Sequence, residues 1–238
     1  MLAALRSLRK RLILGLIASG KTIPTDYLEK YRELVYLKKL LDELKINYVF
    51  DVGANEGQFA QDLRLIGYRG KIVSFEPVKK TFEQLKRNFE NDPLWVGFQF
   101  ALGNANQTMV INVSPDTKLS SILEFQTKDE GMKTEEILVK RLDDIFETLE
   151  FPESNANILL KLDTQGFDME VFRGSAKSLA KISALMSEIS LIPIYEGMVD
   201  YKKSLEVYEA EGFKLCNLST VARSTDQTIV ELNCLMKR

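Results

Sequence analysis

The stretch VFDVGANEG, residues 49–57, sets an acid, two glycines and an asparagine directly after an apolar run. Gly53 and Gly57 let the backbone turn sharply and approach a ligand closely. A helix starting there would present free N–H groups and the positive end of its dipole to a carboxylate or phosphate. One βα unit later, GKIVSFEP ends in Glu76, where a carboxylate can accept both hydroxyls of a ribose. Taken in register, the two features point to an adenosine-containing ligand. GANEG holds Asn55 where the dinucleotide fingerprint has its second glycine, and no GKS or GKT follows, so neither that fingerprint nor a P-loop is complete. Asp51 narrows the choice. A carboxylate one turn from the glycines would repel a pyrophosphate and attract the ammonium and sulfonium of S-adenosylmethionine.

These residues need a scaffold that delivers them to one edge. From residue 46, short apolar runs alternate with amphipathic segments. INYVFDVG, GKIVSFEP, VGFQFALG, ANILLKLD and ISALMSEISL read as strands; QFAQDLRLIG, KKTFEQLKRNFEN, DMEVFRGSAKSLAK and KKSLEVYEAEGF have helical periodicity. Strand then helix, repeated, predicts a parallel sheet covered on both faces. Residues 107–113 and 136–141 read as extra strands between the third and fourth units. FKLCNLS and TIVELNCLMK close the chain with a turn and no helix between them, which predicts an antiparallel hairpin. Residues 1–45 read as a helical extension, with Tyr27, Tyr31, Leu34, Val35, Leu37 and Leu41 near helical spacing and Pro24-Thr25-Asp26 suiting a helix start.

Composition bounds the chemistry. The chain of 238 residues is long enough for one substantial α/β domain. Its 32 basic and 34 acidic residues leave a net charge of −2, which gives no case for a nucleic-acid partner. The chain has no histidine, which excludes Ser-His-Asp and Cys-His catalysis and any imidazole-built metal site. Cys216 and Cys234 lie far from CxxC spacing, so no disulfide framework is indicated and a reducing cytoplasm is the default. Arg6, Arg9, Lys10 and Arg11 precede LILGLIA, an apolar run far too short to span a bilayer. The first reading of this segment is a packed N-terminal helix. The alternatives are a basic amphipathic helix in weak contact with a membrane surface, and a cleaved signal.

The glycine turn, the strand-end acid and the closing hairpin together favour a methyltransferase over a nicotinamide oxidoreductase. A non-catalytic adenosine-ligand module is the third reading. At this point VFDVGANEGQFA, IVSFEPVKKTFEQLKRN, FQFALGN, VKRLDDIF and above all LLKLDTQGFDMEVFRGSAKSL resemble the FkbM-type S-adenosylmethionine-dependent methyltransferases. The resemblance runs from about residue 47 to the end. It implies a class I methyltransferase fold, a Rossmann-like doubly wound, mostly parallel seven-stranded sheet whose last strand is antiparallel, over residues 46–238. It also implies O-methylation of sugar or polyketide hydroxyls. Carried over position by position, Asp51, Gly53, Ala54, Asn55 and Gly57 form the cofactor turn and Glu76 is the ribose acid. Ala101 and Leu102, at the end of the third strand, lie along the adenine, and Asp163 ends the fourth strand beside the transferred methyl. The last strand reads Glu231-Leu232-Asn233 where this subgroup more often has E-x-D.

Methyl transfer to a hydroxyl needs alignment and a base for the departing proton. Without histidine the candidates are Asp163, Glu188, Asp168 and Lys161. Asp163 is favoured, and Glu188 joins it because an acid inside ALMSEISLIP is costly to bury without a role. Dipole stabilisation alone accounts for Asp168, and a structural ion pair for Lys161. A divalent metal on Asp163, Glu188 and a further acid is an alternative, but the spacing fits no recognised loop and no metal is expected. Acceptor recognition is expected in residues 114–135, with Ser120 and Ser121, and in residues 190–201, where Tyr195 or Tyr201 would stack on a sugar. The expected partner is therefore a small-molecule or glycan acceptor, with a homo-oligomer left open.

Overall fold

The computed structural model describes residues 11–126, 131–146, 148–149 and 156–238. Seven strands form the main sheet: β1 (Tyr48–Val52), β2 (Lys71–Phe75), β3 (Trp95–Phe98), β7 (Ile158–Leu162), β8 (Ile182–Ser190), β9 (Lys214–Arg223) and β10 (Ile229–Lys237). Their order is β3-β2-β1-β7-β8-β10-β9. Strands β1, β2, β3, β7 and β8 pair in parallel, while β10 runs antiparallel between β8 and β9. This is the class I methyltransferase arrangement, with the closing hairpin where the sequence predicts it.

Alternation along the central strands sends successive side chains to opposite faces. Val49, Ile72 and Leu159 bury against helices α1 (Thr25–Glu43), α2 (Gln58–Leu65) and α3 (Lys79–Asn88). Phe50, Val73 and Leu160 bury on the other face, against α4 (Leu142–Phe146), α5 (Asp168–Arg173) and α6 (Tyr201–Ala210). Phe50 meets Phe75 edge-on, with ring centroids 6.2 Å apart. Each such fully buried side chain stabilises the fold by about 1.5–3 kcal/mol.

Three segments differ from the sequence expectation. VGFQFALG is not one strand: Ala101–Leu102 form a separate strand, β4, which pairs with β6 (Lys133–Lys140) in a second sheet ordered β4-β6-β5, where β5 is Gln107–Val113. Gln99 and Phe100 carry the chain from one sheet to the other, and Phe98 and Phe100 keep ring contact across the step at 5.4 Å. The helix begun by DMEVFR stops at Gly174, which lies so close to the Gly103 carbonyl that a Cβ there would sit 1.9 Å from its oxygen. The third difference concerns the N-terminus. Residues 11–18 are helical, but every residue from 11 to 28 is exposed, so the packed-helix reading fails for this segment. Packing begins along α1, which buries Leu37, Leu40 and Leu41 in the same core as β1 and β8. Arg6, Arg9 and Lys10 lie outside the described residues.

Candidate active site

Parallel strands deliver their C-terminal ends to one edge, and the loops there enclose a cavity of about 430 Å³. From the first turn Gly53, Ala54 and Asn55 line it, and from the second strand end Glu76 does. Gly53 has φ 73°, and a Cβ on it would sit 1.9 Å from the Asp163 carbonyl oxygen, so the loops after β1 and β7 are in direct backbone contact. Asn55, also at positive φ (49°), donates its backbone N–H to Glu76 Oε2 at 2.9 Å. Glu76 Oε1 accepts the Val78 N–H at 2.9 Å, which holds the carboxylate at the cavity wall. Burial pushes the Glu76 pKa up to about 7, against the pull of those two N–H groups. Ala101 and Leu102 line the cavity from β4 rather than from the end of β3, with Phe75 and Ile111 supplying further apolar wall.

Asp51 is not where the charge argument puts it. It is completely buried, absent from the cavity lining, and its Oδ1 lies 3.0 Å from Lys161 Nζ. The two residues are register partners on β1 and β7, so the pair is built into the sheet. Lys161 Nζ also lies 3.3 Å from Asp163 Oδ2 and donates to the Gly53 carbonyl at 3.2 Å. Burial opposes the lysine's charge, but Asp163 and Asp51 outweigh it and hold its pKa above the ordinary value. Gly57 is likewise behind the wall: it starts α2 at φ 93° and faces Phe89 and Leu85.

At the other candidate centre, Asp163 and Glu188 both line the cavity, and Gln165 joins them. The Gln165 amide donates to Asp163 Oδ1 at 3.0 Å and to Glu188 Oε2 at 2.9 Å. Its Oε1 accepts the Tyr195 hydroxyl at 2.7 Å, and its carbonyl accepts the Ser121 hydroxyl at 2.7 Å. Burial works against ionisation of Asp163, yet Lys161 beside it and hydrogen bonds from Glu188 and Gln165 hold its pKa below the usual range. Glu188 moves the opposite way, raised first by burial and then by the charges of Asp163 and Glu231. The two acids are thus driven apart in proton affinity, Asp163 toward the carboxylate and Glu188 toward the acid, and one amide orders both.

Other expected residues divide between wall and support. Ser120 lines the cavity, while its hydroxyl accepts the Ser114 N–H at 3.2 Å. Ser121 and Tyr195 are each only 1% exposed and, unlike Ser120, are not among the residues lining the cavity. Tyr195 packs on Phe125 at 4.7 Å rather than offering a face to a sugar, and both residues instead position Gln165. Tyr201 opens α6 and packs against the core. Asp168 is buried and outside the lining; it accepts the Thr164 N–H at 2.7 Å, the Thr164 hydroxyl and the Ser187 hydroxyl, which makes it the brace of the turn. Residues 127–130 of the expected acceptor segment lie outside the described residues.

Among the cavity residues given no role from sequence, three make contacts that shape the site. Gln165 sits inside LKLDTQGFD, the most specific block of the resemblance, and its positive φ (53°) is the backbone sign of a shaped turn. Glu231 is turned in where β10 slips register against β9, and it accepts the Ser190 hydroxyl at 3.0 Å. Thr117, in a short 3₁₀ turn, accepts from the Asn55 amide at 3.2 Å and ties the first loop to the acceptor segment.

A family model described as "Methyltransferase FkbM domain" matches residues 51–215. Methyltransferase 1 of Beauveria bassiana is 29% identical over 146 residues, covering 54% of this chain and 58% of its own length. Hexuronic acid methyltransferase AglP of Haloferax volcanii is 25% identical over 157 residues, covering 64% of this chain and 60% of its own. The chain thus spans about three fifths of the length of these curated relatives. Among solved structures, a putative S-adenosylmethionine-dependent methyltransferase from Listeria monocytogenes aligns over 89% of this chain and 97% of its own, with a TM-score of 0.49 and 10% identity.

Proposed function

The chain belongs to the FkbM methyltransferase family, and on that premise we propose that it transfers a methyl group from S-adenosylmethionine to a hydroxyl of a sugar, glycan or secondary metabolite. The observation that carries the reading is one cavity whose wall includes both the Glu76 turn and the Asp163–Gln165–Glu188 cluster. Its lining suits a cationic, adenosine-bearing molecule: carboxylates of Glu76, Asp163, Glu188 and Glu231 reach it, between apolar Phe75, Ala101, Leu102 and Ile111. Glu76 would hold the ribose, Ala101 and Leu102 the adenine, and the Gly53–Asn55 backbone the amino-acid end. Asp51 supports that end from behind, through Lys161.

S-adenosylmethionine supplies an electrophilic methyl on a sulfonium leaving group. The protein's task is then to orient the acceptor and receive its proton. Asp163, kept ionised by Lys161, accepts the hydrogen bond of the acceptor hydroxyl at its carboxylate. Gln165 holds that carboxylate and Glu188 in one orientation, which is the alignment term. A curated relative named as a hexuronic acid methyltransferase supports a sugar acceptor. Family membership displaces the nicotinamide and non-catalytic alternatives.

Titration calorimetry with S-adenosylhomocysteine and NAD, followed by a labelled methyl-transfer screen over neutral sugars, uronic acids and secondary-metabolite hydroxyls, tests the proposal. Binding of the first ligand alone and a mass shift on a hydroxyl acceptor are expected. Failure to bind S-adenosylhomocysteine would overturn it.

A further inference from the structure

Residues 11–18 form a helix that the other described residues do not cover. Leu12, Ile13, Leu14, Leu16 and Ile17 are each 53–61% exposed and share one broad face of the helix, opposite Arg11, Gly15 and Ala18. So broad an apolar face belongs against an apolar surrounding, and the other described residues provide none. The run is too short to span a bilayer, and among the described residues no helix is long and apolar enough to cross one. Charge narrows the choice of surrounding. Arg6, Arg9, Lys10, Arg11 and Lys21 flank the apolar run, and the first acid of the chain is Asp26. A second copy would bring this uniformly basic segment against itself, whereas an anionic lipid surface complements it.

The position of the helix in the fold supports the same occupant. α1 follows it after residues 19–24 and crosses the hairpin sheet in a defined direction. Glu43 pairs with Lys237 at the far end of β10, while Glu33 accepts from Asn233 in mid-strand at 2.7 Å. The N-terminal end of α1 therefore points to the edge where Glu231 enters the cavity. Lys30, one turn further back, pairs with Asp62 of α2, the helix that rises from the glycine turn. At this end Tyr27 and Tyr31 stand 68% and 70% exposed, one helical turn apart. Amphipathic aromatic rings of this kind settle at the headgroup level of a bilayer.

We propose that the N-terminal helix docks in the interface of an anionic membrane, with its apolar residues below the headgroups and its basic residues among them. Docked there, the cavity edge of the sheet is the part of the molecule nearest the lipid.

The test is co-sedimentation of the full-length protein with phosphatidylcholine vesicles, with and without phosphatidylglycerol, in low and high salt. Size-exclusion chromatography with light scattering is run on the same samples. The expected result is partitioning at least about tenfold stronger onto the anionic vesicles, weakened by salt. Ile13→Glu combined with Ile17→Glu should abolish it while leaving S-adenosylhomocysteine binding and the circular dichroism spectrum unchanged. Absence of partitioning, or partitioning indifferent to the double substitution, overturns the proposal. A dimer that dissociates in the double variant also overturns it, in favour of a second copy as the occupant.

Discussion

Asp51 and Lys161 sit opposite each other on adjacent strands, with Nζ 3.0 Å from Oδ1 and both residues buried. A buried pair resists the loss of one member far more than the loss of both, because the survivor keeps its desolvation penalty without a partner. Lys161→Met should destabilise the fold by about 3–5 kcal/mol in urea denaturation. Asp51→Asn in that background should recover a substantial part of the loss, and the double-mutant cycle measures the coupling. Additive losses would show that the pair does not act as one.

Glu76 predicts a pH dependence. Its carboxyl titrates near 4.5 in the unfolded chain and at about 7 in the folded one, so the folded state binds the extra proton between those values. Stability from this group is fully present below pH 4.5 and is lost as pH rises to about 7. The loss is about 3 kcal/mol. Glu76→Gln should flatten the pH dependence of the unfolding free energy relative to wild type across that window. Glu76→Ala should lose S-adenosylhomocysteine affinity with the fold intact, and normal binding would remove Glu76 from the ribose site.

The acid pair predicts a split between binding and turnover. Asp163→Asn should lower kcat about a hundredfold, while S-adenosylhomocysteine affinity changes only a few-fold. Glu188→Gln keeps the side chain's length and hydrogen-bonding capacity and should retain more activity than Glu188→Ala. Gln165→Leu removes both amide contacts and leaves two carboxyl groups facing each other. It should shift the pH–rate profile, a response that simple loss of packing would not produce.

The Asn233 amide, near the middle of β10, donates to Glu33 at 2.7 Å. The Ser219 hydroxyl donates to the same oxygen, also at 2.7 Å. Asn233→Asp would set a carboxylate against the buried Glu33 carboxylate. A loss of about 1–3 kcal/mol in thermal or urea unfolding is expected. Restoration by Glu33→Gln in the same chain would confirm that the residue serves the docking of α1.

The parallel units, the closing hairpin, the glycine turn and the strand-end acids Glu76, Asp163 and Glu188 were legible in the residues alone. They depend on local periodicity and on the rule that such sheets gather their ligand groups at one edge. Contacts between distant segments were not legible, since periodicity carries no record of which strand lies beside which. The register that pairs Asp51 with Lys161 turned a presumed ligand contact into a buried support. Tyr195 and Ser121, expected as acceptor contacts, lie outside the cavity lining and hold Gln165 in place. Asp168 became a brace once Ser187 arrived from the next strand. The sequence by itself determined the class of chemistry, through the types and order of residues at strand ends. Tertiary structure decided which of those side chains meet the cavity, because a charge faces a ligand only when no nearer partner in the fold has already claimed it.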